Sequence, residues 1–289
     1  MATFHTADAP HGEVILLRIT RLDEHTRAFA ERLTRESGRE VMCIVDERNG
    51  SVDVSPYRKL SLTARTCRAL GIHCPSDFAW RCGDYGLYLA RTQYPSITRF
   101  WLIEGDVRIT GPGLDHFFHV FDNSEDIDCI MGNLQASAGW YWDHSIASAG
   151  TTVYTCLFNI LRINAAAIDL LLERRRELSL DRVRRLSWAN DEAFVATTLS
   201  NSPFTCRDLN DFGPTLYTTE TLTFHAAFNG STFQEHQEPM TIYHPVLFGE
   251  AYERKRRKLH AIAAGETLSQ RARRRAIHLL NALTRSTNF

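Results

Sequence analysis

Two acidic residues, Glu104 and Asp106, follow a short apolar run and are the strongest candidates for chemistry in the sequence. The run spans residues 100–103, and a Gly-Pro-Gly breaker follows at 111–113. An apolar run of this length between turn residues predicts a buried strand. Because an unpaired buried carboxylate is very costly, both acids need a partner. A hard divalent cation, Mg²⁺ or Mn²⁺, is one such partner. Neighbouring donors that the acids would cap are the alternative.

A β-α-β pattern begins the chain and must position these acids. Residues 13–19 and 41–45 predict buried strands, and residues 20–37 predict the helix between them. Such a unit implies parallel strands with a right-handed crossover. In open α/β sheets, ligands bind beyond the carboxyl ends of the strands. The polar residues that this edge would offer to a nucleotide are Arg18, Thr20 and Asp46.

Charge is distributed unevenly along the 289 residues, although the formal net charge is only −1. Residues 251–289 carry ten Lys and Arg against two Glu, a local balance of +8. We therefore divide the chain into a body, 1–249, and a basic helical C-terminal extension, 250–289. The extension fits a peripheral contact with an anionic membrane, an acidic partner or second subunit, or a solvated helix face. Nucleic acid is not expected, because the body lacks a basic face with interleaved aromatics.

The seven cysteines are scattered and form no Cys-x-x-Cys pair, which favours buried thiols in a reducing compartment. The N-terminal residues show no signal-peptide pattern. No run approaches the roughly 20 apolar residues of a membrane helix. We expect a cytoplasmic protein whose membrane contact, if it has one, is peripheral at the inner face.

Three motifs together resemble glycosyltransferases of the GT-A fold. They are Trp-Arg-Cys-Gly-Asp-Tyr at 80–85, Trp-Leu-Ile-Glu-Gly-Asp-Val at 101–107, and a late Tyr-His-Pro-Val at 243–246. More narrowly, the chain is similar to a group with the pattern Trp-x-Ile-Glu-x-Asp-Val. The resemblance covers about residues 13–247. It implies an α/β, Rossmann-like fold with a mostly parallel central sheet flanked by helices. It also implies transfer of a sugar from a nucleotide-diphosphate donor to a carbohydrate or other hydroxyl acceptor.

The same resemblance implies roles for individual residues. Asp106 would hold the metal ion, with His244 as a third ligand and Glu104 in a supporting place, through water or in contact with the ribose of the donor. Asp84 would lie at a helix start near the ribose and diphosphate. Arg81 could add a charge-assisted contact to phosphate. The alternatives are a histidine packed at a strand end, and capping or surface salt bridges for the others.

An inverting transferase also needs a carboxylate that takes the proton of the acceptor hydroxyl. Asp191 or Glu192 is the candidate by resemblance, although an N-cap followed by first-turn acids explains the same triplet. The aromatic run 140–144 would offer an acceptor platform or fill the core. Trp80 and Trp101 are predicted to be core residues.

Two other functions use the same residues. A metal-dependent phosphodiester or pyrophosphate hydrolase would use the same acid pair, but with further ligands and a positioned water. A non-catalytic module of the same fold would bind a partner through the basic extension. The sequence has neither the P-loop motif nor the Gly-x-Gly-x-x-Gly motif of dinucleotide-binding folds.

Overall fold

The structure is a computed structural model that describes residues 12–148 and 150–265. The first eleven residues, for which no signal peptide is expected, lie outside this range. So does most of the predicted basic extension, including the arginine-rich stretch 271–275.

Eleven strands are formed within the described residues, several of them only two residues long. They are β1 (Glu13–Ile19), β2 (Val41–Asp46), β3 (Arg58–Leu62), β4 (Arg99–Glu104), β5 (Arg108–Ile109), β6 (Cys129–Ala136), β7 (Tyr154–Asn164), β8 (Cys206–Asp208), β9 (Phe228–Asn229), β10 (Ile242–Tyr243) and β11 (Val246–Leu247).

The helices of the described residues range from single turns to sixteen residues. They are α1 (Glu24–Ser37), α2 (Ala64–Ala69), α3 (Phe78–Arg81), α4 (Tyr85–Gln93), α5 (Leu114–His119), α6 (Asp143–Ile146), α7 (Ala165–Leu180), α8 (Arg182–Leu186), α9 (Asp191–Ser200) and α10 (Gly249–Ala263), with two 3₁₀ turns at Leu209–Phe212 and Gly230–Thr232.

A seven-stranded sheet forms the centre, in the order β3-β2-β1-β4-β7-β6-β8. The strands from β3 to β4 run parallel, β7 is antiparallel to both of its neighbours, and β8 pairs parallel with β6. Apolar side chains are buried on both faces of the sheet, with α4, α7 and α9 over one face and α1 and α5 over the other. The predicted α/β class, with a mostly parallel central sheet flanked by helices, is confirmed.

The first β-α-β unit forms close to its predicted bounds. Helix α1 begins at Glu24 rather than at residue 20, because the side chain of Asp23 accepts a hydrogen bond from the backbone N–H of Thr26 at 2.9 Å. It ends at Gly38, which has a left-handed φ of 65°. Residues 20–22 therefore form a loop beyond β1 instead of a helical turn. This loop lies at the edge of the sheet where ligands bind.

Two other predicted elements differ from the structure. The mostly apolar residues 127–131 predict a short strand, whereas β6 begins at Cys129 and runs on to Ala136, because its polar half pairs with β7 after a register shift at Met131. The mostly polar, basic residues 181–186 predict a turn, whereas the structure forms α8 there. Asp181 nucleates that helix by accepting hydrogen bonds from the backbone N–H groups of Val183 and Arg184, at 2.8 and 3.2 Å.

Helix α10 coincides with the start of the predicted basic extension. The division of the chain into 1–249 and 250–289 stays a prediction, since residues 266–289 lie outside the described range. No helix among the described residues is both long and apolar enough to cross a membrane.

A buried ion-pair network fixes the start of β1. Glu13 is 3% exposed and accepts hydrogen bonds of 2.6 Å from both Arg39 and Arg162. Burial raises the pKa of Glu13, but the two guanidinium groups outweigh it and hold the pKa below its ordinary value of 4.5. The stability that Glu13 contributes is therefore present above pH 4.5 and is lost as the pH falls through its lower folded-state pKa.

We predict that Glu13→Gln flattens the acid side of the stability profile, since it removes this proton uptake. The measurement is the urea midpoint as a function of pH. The control variant Glu220→Gln, at an exposed position, should have the same dependence of the urea midpoint on pH as the wild-type protein. Parallel acid limbs for the wild type and Glu13→Gln would contradict the assignment.

Candidate active site

The two predicted acids lie in a tight turn at the end of β4. In the sheet, Glu104 is the register partner of Arg18 on β1. Gly105 packs against β1 so closely that a Cβ atom would come within 2.9 Å of Ile19. The backbone N–H of Val107 closes the turn on the carbonyl oxygen of Glu104 at 3.0 Å. Any side chain larger than that of glycine would have to displace Ile19 at this position, and both carboxylates lie at the carboxyl edge of the sheet.

His244 reaches the acids through backbone pairing far from them in sequence. Strand β10 runs antiparallel to β5, with Tyr243 opposite Arg108. The N–H of Val246 donates to the carbonyl oxygen of Asp106 at 2.7 Å. As a result, Nε2 of His244 lies 3.5 Å from Oε2 of Glu104 and 3.5 Å from Oδ1 of Asp106. The structure brings together the three residues predicted as metal ligands.

This cluster has the donor set of a divalent-cation site. One ligand atom from each of Glu104, Asp106 and His244 lies within 4.8 Å of the others. The second ring nitrogen of His244, Nδ1, lies 3.2 Å from the carbonyl oxygen of Thr223. Donation from Nδ1–H to that carbonyl leaves the Nε2 lone pair facing the acids. Two carboxylates and one imidazole fit Mn²⁺ or Mg²⁺.

Asp106 and His244 each favour the charged form of the other. Burial raises the pKa of Asp106, but the neighbouring imidazole outweighs it and the net pKa is lowered. Burial lowers the pKa of His244, but Asp106 and Glu104 outweigh it and the net pKa is raised. The Asp106 side chain is 34% exposed and that of His244 is 4% exposed. Asp106 is thus the ligand that best combines negative charge with access from outside.

Asn159 is a member of the site that the sequence reasoning missed. It lies on β7, and its Nδ2 donates to Oε2 of Glu104 at 2.6 Å and lies 3.1 Å from Nε2 of His244. Its Oδ1 is buried without a partner among the described residues. One signal was available: an amide in the middle of an otherwise apolar strand needs a partner when the strand is buried.

Arg18 links Glu104 to the other acids of the site. Its Nη1 is hydrogen-bonded to Glu104 and lies 4.0 Å from Oδ2 of Asp191. Its Nη2 donates to the carbonyl oxygen of Ala79 at 2.6 Å. Arg18 and Asn159 together fix the Glu104 carboxylate, whereas neither an arginine nor an amide of the described residues is hydrogen-bonded to the carboxylate of Asp106. This arrangement agrees with the supporting role predicted for Glu104.

A first cavity, of about 370 Å³, lies at the tips of β1, β2 and β4. Four of the six residues predicted to contact the donor line it, namely Arg18, Thr20, Asp46 and Glu104. The carboxylate of Asp46 is held by Arg48 through bonds of 2.9 and 2.8 Å. Trp80 also lines the cavity and is 66% exposed, so the prediction that it is a core residue was wrong. Helix α3 buries Phe78 and turns Trp80 outward.

The other two predicted donor contacts, Arg81 and Asp84, are not among the residues that line this cavity. Arg81 pairs with Asp77 at 2.6 Å. Asp84 is fully buried and accepts hydrogen bonds from Nε and Nη2 of Arg175, at 2.8 and 3.1 Å. Arg175 also donates to the carbonyl oxygen of Ala189 at 2.9 Å. The pair therefore ties the start of α4 to the segment before α9, which is a structural role.

We predict that Arg175→Met lowers the free energy of unfolding by about 3–5 kcal/mol, because it leaves a buried carboxylate without its counter-charge. Urea denaturation measures the loss. The double variant Asp84→Asn with Arg175→Met should lose less than the single variant, since no uncompensated charge remains. A double variant that loses as much as the single variant, or more, would show that packing rather than charge explains the effect.

Asp191 and Glu192 lie in the first turn of α9, where Asn190 caps the helix by accepting from the N–H of Ala193 at 3.1 Å. Both oxygens of Asp191 are occupied: Oδ2 accepts from the N–H of Gly83 at 2.7 Å, and Oδ1 accepts from the N–H of Glu192 at 2.9 Å. Oε2 of Glu192 accepts from Asn190 at 3.0 Å, but its Oε1 is buried and has no partner among the described residues.

Burial controls the protonation of both acids. It raises the pKa of Asp191 to about 7, with Arg18 acting against the rise. Burial and the Asp191 carboxylate raise the pKa of Glu192 well above its ordinary range. A general base takes a proton through a carboxylate oxygen that is not already bonded, and of the two acids Glu192 offers one, at Oε1. Of the two candidates predicted from the sequence, the geometry favours Glu192.

A second cavity, of about 490 Å³, contains Glu192 in its wall. Thr223 and Phe224 also line it. These residues also contact His244, since its Nδ1 lies 3.2 Å from the Thr223 carbonyl oxygen and its ring centroid lies 5.5 Å from that of Phe224. Residues that line the second cavity therefore contact the Glu104–Asp106–His244 cluster, while Glu104 and Asp106 themselves line the first cavity.

The aromatic run 140–144 is divided between several environments. Trp140 lines the second cavity, as an acceptor platform would. Tyr141 is 73% exposed, and the ring of Trp142 lies under the guanidinium of Arg81 at 5.1 Å. Trp101, in contrast, is fully buried, as predicted.

No protein-family model matches the chain, and no curated protein matches its sequence. The chain is similar to a number of solved structures, among them the following three. The first is a glycosyltransferase involved in the glycosylation of the major capsid of PBCV-1 (13% identity, TM-score 0.31, covering 57% of this chain and 67% of that one). The second is mouse xyloside xylosyltransferase 1, with 11% identity and a TM-score of 0.40, covering 80% of this chain and 97% of that one. The third is the galactosyltransferase LgtC in complex with donor and acceptor sugar analogues, with 11% identity and a TM-score of 0.44, covering 86% of this chain and 95% of that one.

All three structures are glycosyltransferases, the enzyme class that the sequence motifs resemble. At these identities and TM-scores the likenesses do not identify a reaction. What the site can do follows from its own residues.

Proposed function

We propose that the protein is a metal-dependent glycosyltransferase that moves a sugar from a nucleotide-diphosphate donor to a hydroxyl acceptor. One observation carries the proposal: Glu104 and Asp106 line the cavity at the strand tips, and His244, the third residue of their cluster, contacts two residues that line the cavity containing Glu192. A two-substrate transfer needs two binding spaces that meet at the reacting groups.

Asp106 and His244 would hold Mn²⁺ or Mg²⁺, with Glu104 kept in place by Arg18 and Asn159. When bound, the ion supplies positive charge against the diphosphate. The set of donors supports this part of the proposal, because carboxylate oxygens and an imidazole nitrogen are ligands that these ions accept in proteins.

The first cavity would take the nucleotide. Thr20 and Asp46 follow β1 and β2, and offer a hydroxyl and a carboxylate to the base or ribose. Arg18 lies between this cavity and Asp191, where its guanidinium adds positive charge beside the leaving diphosphate.

The second cavity would take the acceptor, a carbohydrate or another hydroxyl compound. Trp140 offers an aromatic face and Glu192 a free oxygen. In an inverting transfer, Oε1 of Glu192 takes the hydroxyl proton while the acceptor oxygen bonds to the anomeric carbon and the bond from that carbon to the diphosphate breaks. The products are a glycoside and a nucleoside diphosphate.

Titration calorimetry tests the proposal. Nucleoside diphosphates and a panel of nucleotide sugars are titrated into the protein with Mn²⁺ and, separately, with a chelator. The proposal expects binding that requires the divalent ion. Equal binding with and without the ion, or no binding of any member of the panel, would favour a non-catalytic module. A phosphodiester or pyrophosphate hydrolase is separated from a transferase by its products.

A further inference from the structure

Three aliphatic side chains project into solvent where α7 meets α8. Leu180 is 85% exposed, Val183 74% and Leu186 90%. They follow one another at intervals of three residues, across the short break at Asp181. Of the large hydrophobic residues exposed in the described chain, these three are the most exposed. We call Leu180, Val183 and Leu186 the α8 ridge.

Three arginines lie next to the ridge in sequence, and the acidic residues close to it are already hydrogen-bonded to other groups. Arg182, Arg184 and Arg185 alternate with the ridge residues, and none of them forms an ion pair within residues 12–148 and 150–265. The neighbouring acids do not neutralise them: Glu177 pairs with Arg174 at 2.6 Å, and Asp181 caps α8. Exposed aliphatic side chains and arginines without ion-pair partners among the described residues are therefore adjacent in one short stretch, which consists of Leu180 and helix α8.

We propose that the α8 ridge and its arginines dock the protein on an anionic lipid surface. Aliphatic side chains enter the boundary between headgroups and acyl chains, while adjacent cations bind anionic headgroups. Charge complementarity selects this occupant, because a protein groove for three aliphatic residues would not require three uncompensated arginines around them. The surface is distinct from the basic C-terminal extension, and the inference does not depend on the proposed transferase activity.

The ridge is connected to the site by the short segment 187–190 between α8 and α9. Trp188 follows α8 by two residues, and its carbonyl oxygen lies 3.4 Å from Nη1 of Arg81. Asn190 and Asp191 come directly afterwards, at the start of α9. Docking through α8 would therefore hold the segment that carries Asp191 and Glu192 next to the lipid surface.

Flotation of the full chain with lipid vesicles tests this surface. The protein is mixed with vesicles of equal parts phosphatidylcholine and phosphatidylglycerol, or with vesicles of phosphatidylcholine alone. We expect binding to the anionic vesicles that weakens as salt is added. The triple variants Leu180→Ser/Val183→Ser/Leu186→Ser and Arg182→Gln/Arg184→Gln/Arg185→Gln should each lower the partition coefficient by about tenfold or more.

A matched control removes the same charge elsewhere. Arg254→Gln/Arg257→Gln/Lys258→Gln changes three exposed cations of α10 and should bind vesicles more strongly than either α8 variant. Thermal melting verifies that all variants are folded. The proposal is overturned if the wild type binds no anionic vesicles, if only the α10 variant loses binding, or if sedimentation without lipid shows an oligomer that the leucine variant dissociates.

Discussion

Replacing Asp106 by alanine is expected to weaken metal-dependent binding of a nucleotide sugar by about a hundredfold or more. Asp106 is the acid of the cluster with the most exposed side chain, and it lies 3.5 Å from Nε2 of His244. Loss of a residue that merely orients a metal ligand already lowers affinity by roughly 10–100-fold, so loss of a ligand should cost at least as much. Calorimetry with Mn²⁺ and the donor measures the change.

The matched control is Asp122→Ala, which removes an exposed carboxylate away from the cavities. It should bind Mn²⁺ and donor as the wild type does. The circular dichroism spectrum of each variant verifies its fold. If Asp106→Ala binds the donor with unchanged affinity and still requires Mn²⁺, the ion is held elsewhere.

Replacing Glu192 by glutamine is expected to slow transfer by about 10²–10⁴-fold while donor binding persists. The reason is geometric: Oε1 of Glu192 is buried, unpartnered among the described residues, and belongs to the wall of the second cavity. An amide keeps the size and the hydrogen bonding of the carboxylate but cannot take the proton. Initial rates at saturating donor, together with calorimetric donor affinity, separate the two effects.

Asp191→Asn is the comparison for that experiment. Both oxygens of Asp191 accept backbone N–H bonds, so its substitution should slow transfer less than that of Glu192. A larger loss with Asp191→Asn would reverse the assignment of the two acids.

The sequence was informative where local pattern determines structure. The acids after the apolar run at 100–103 do lie at a strand tip, and the first β-α-β unit has nearly its predicted bounds. Alternation and turn residues carry this information within a few residues. The prediction that His244 lies beside the two acids came from the family resemblance and not from any local sequence pattern.

Long-range packing was the part that the sequence could not supply. Asp84 was expected beside the donor, but its partner Arg175 lies 91 residues later and encloses it. Trp80 was expected in the core, although a single-turn helix turns it outward. Asn159 joins the cluster only because β7 pairs beside β4, which local patterns do not predict.

The products formed from a nucleotide sugar test the central claim most directly. The full chain is incubated with Mn²⁺, the donor that binds best and a panel of sugar and lipid-linked hydroxyl acceptors, and the nucleotide released is identified by mass spectrometry. A transferase breaks the bond at the anomeric carbon and releases a nucleoside diphosphate, with matching loss of the signal in Asp106→Ala. Release of a nucleoside monophosphate and a sugar phosphate would mean cleavage within the diphosphate, and the protein would be a hydrolase instead.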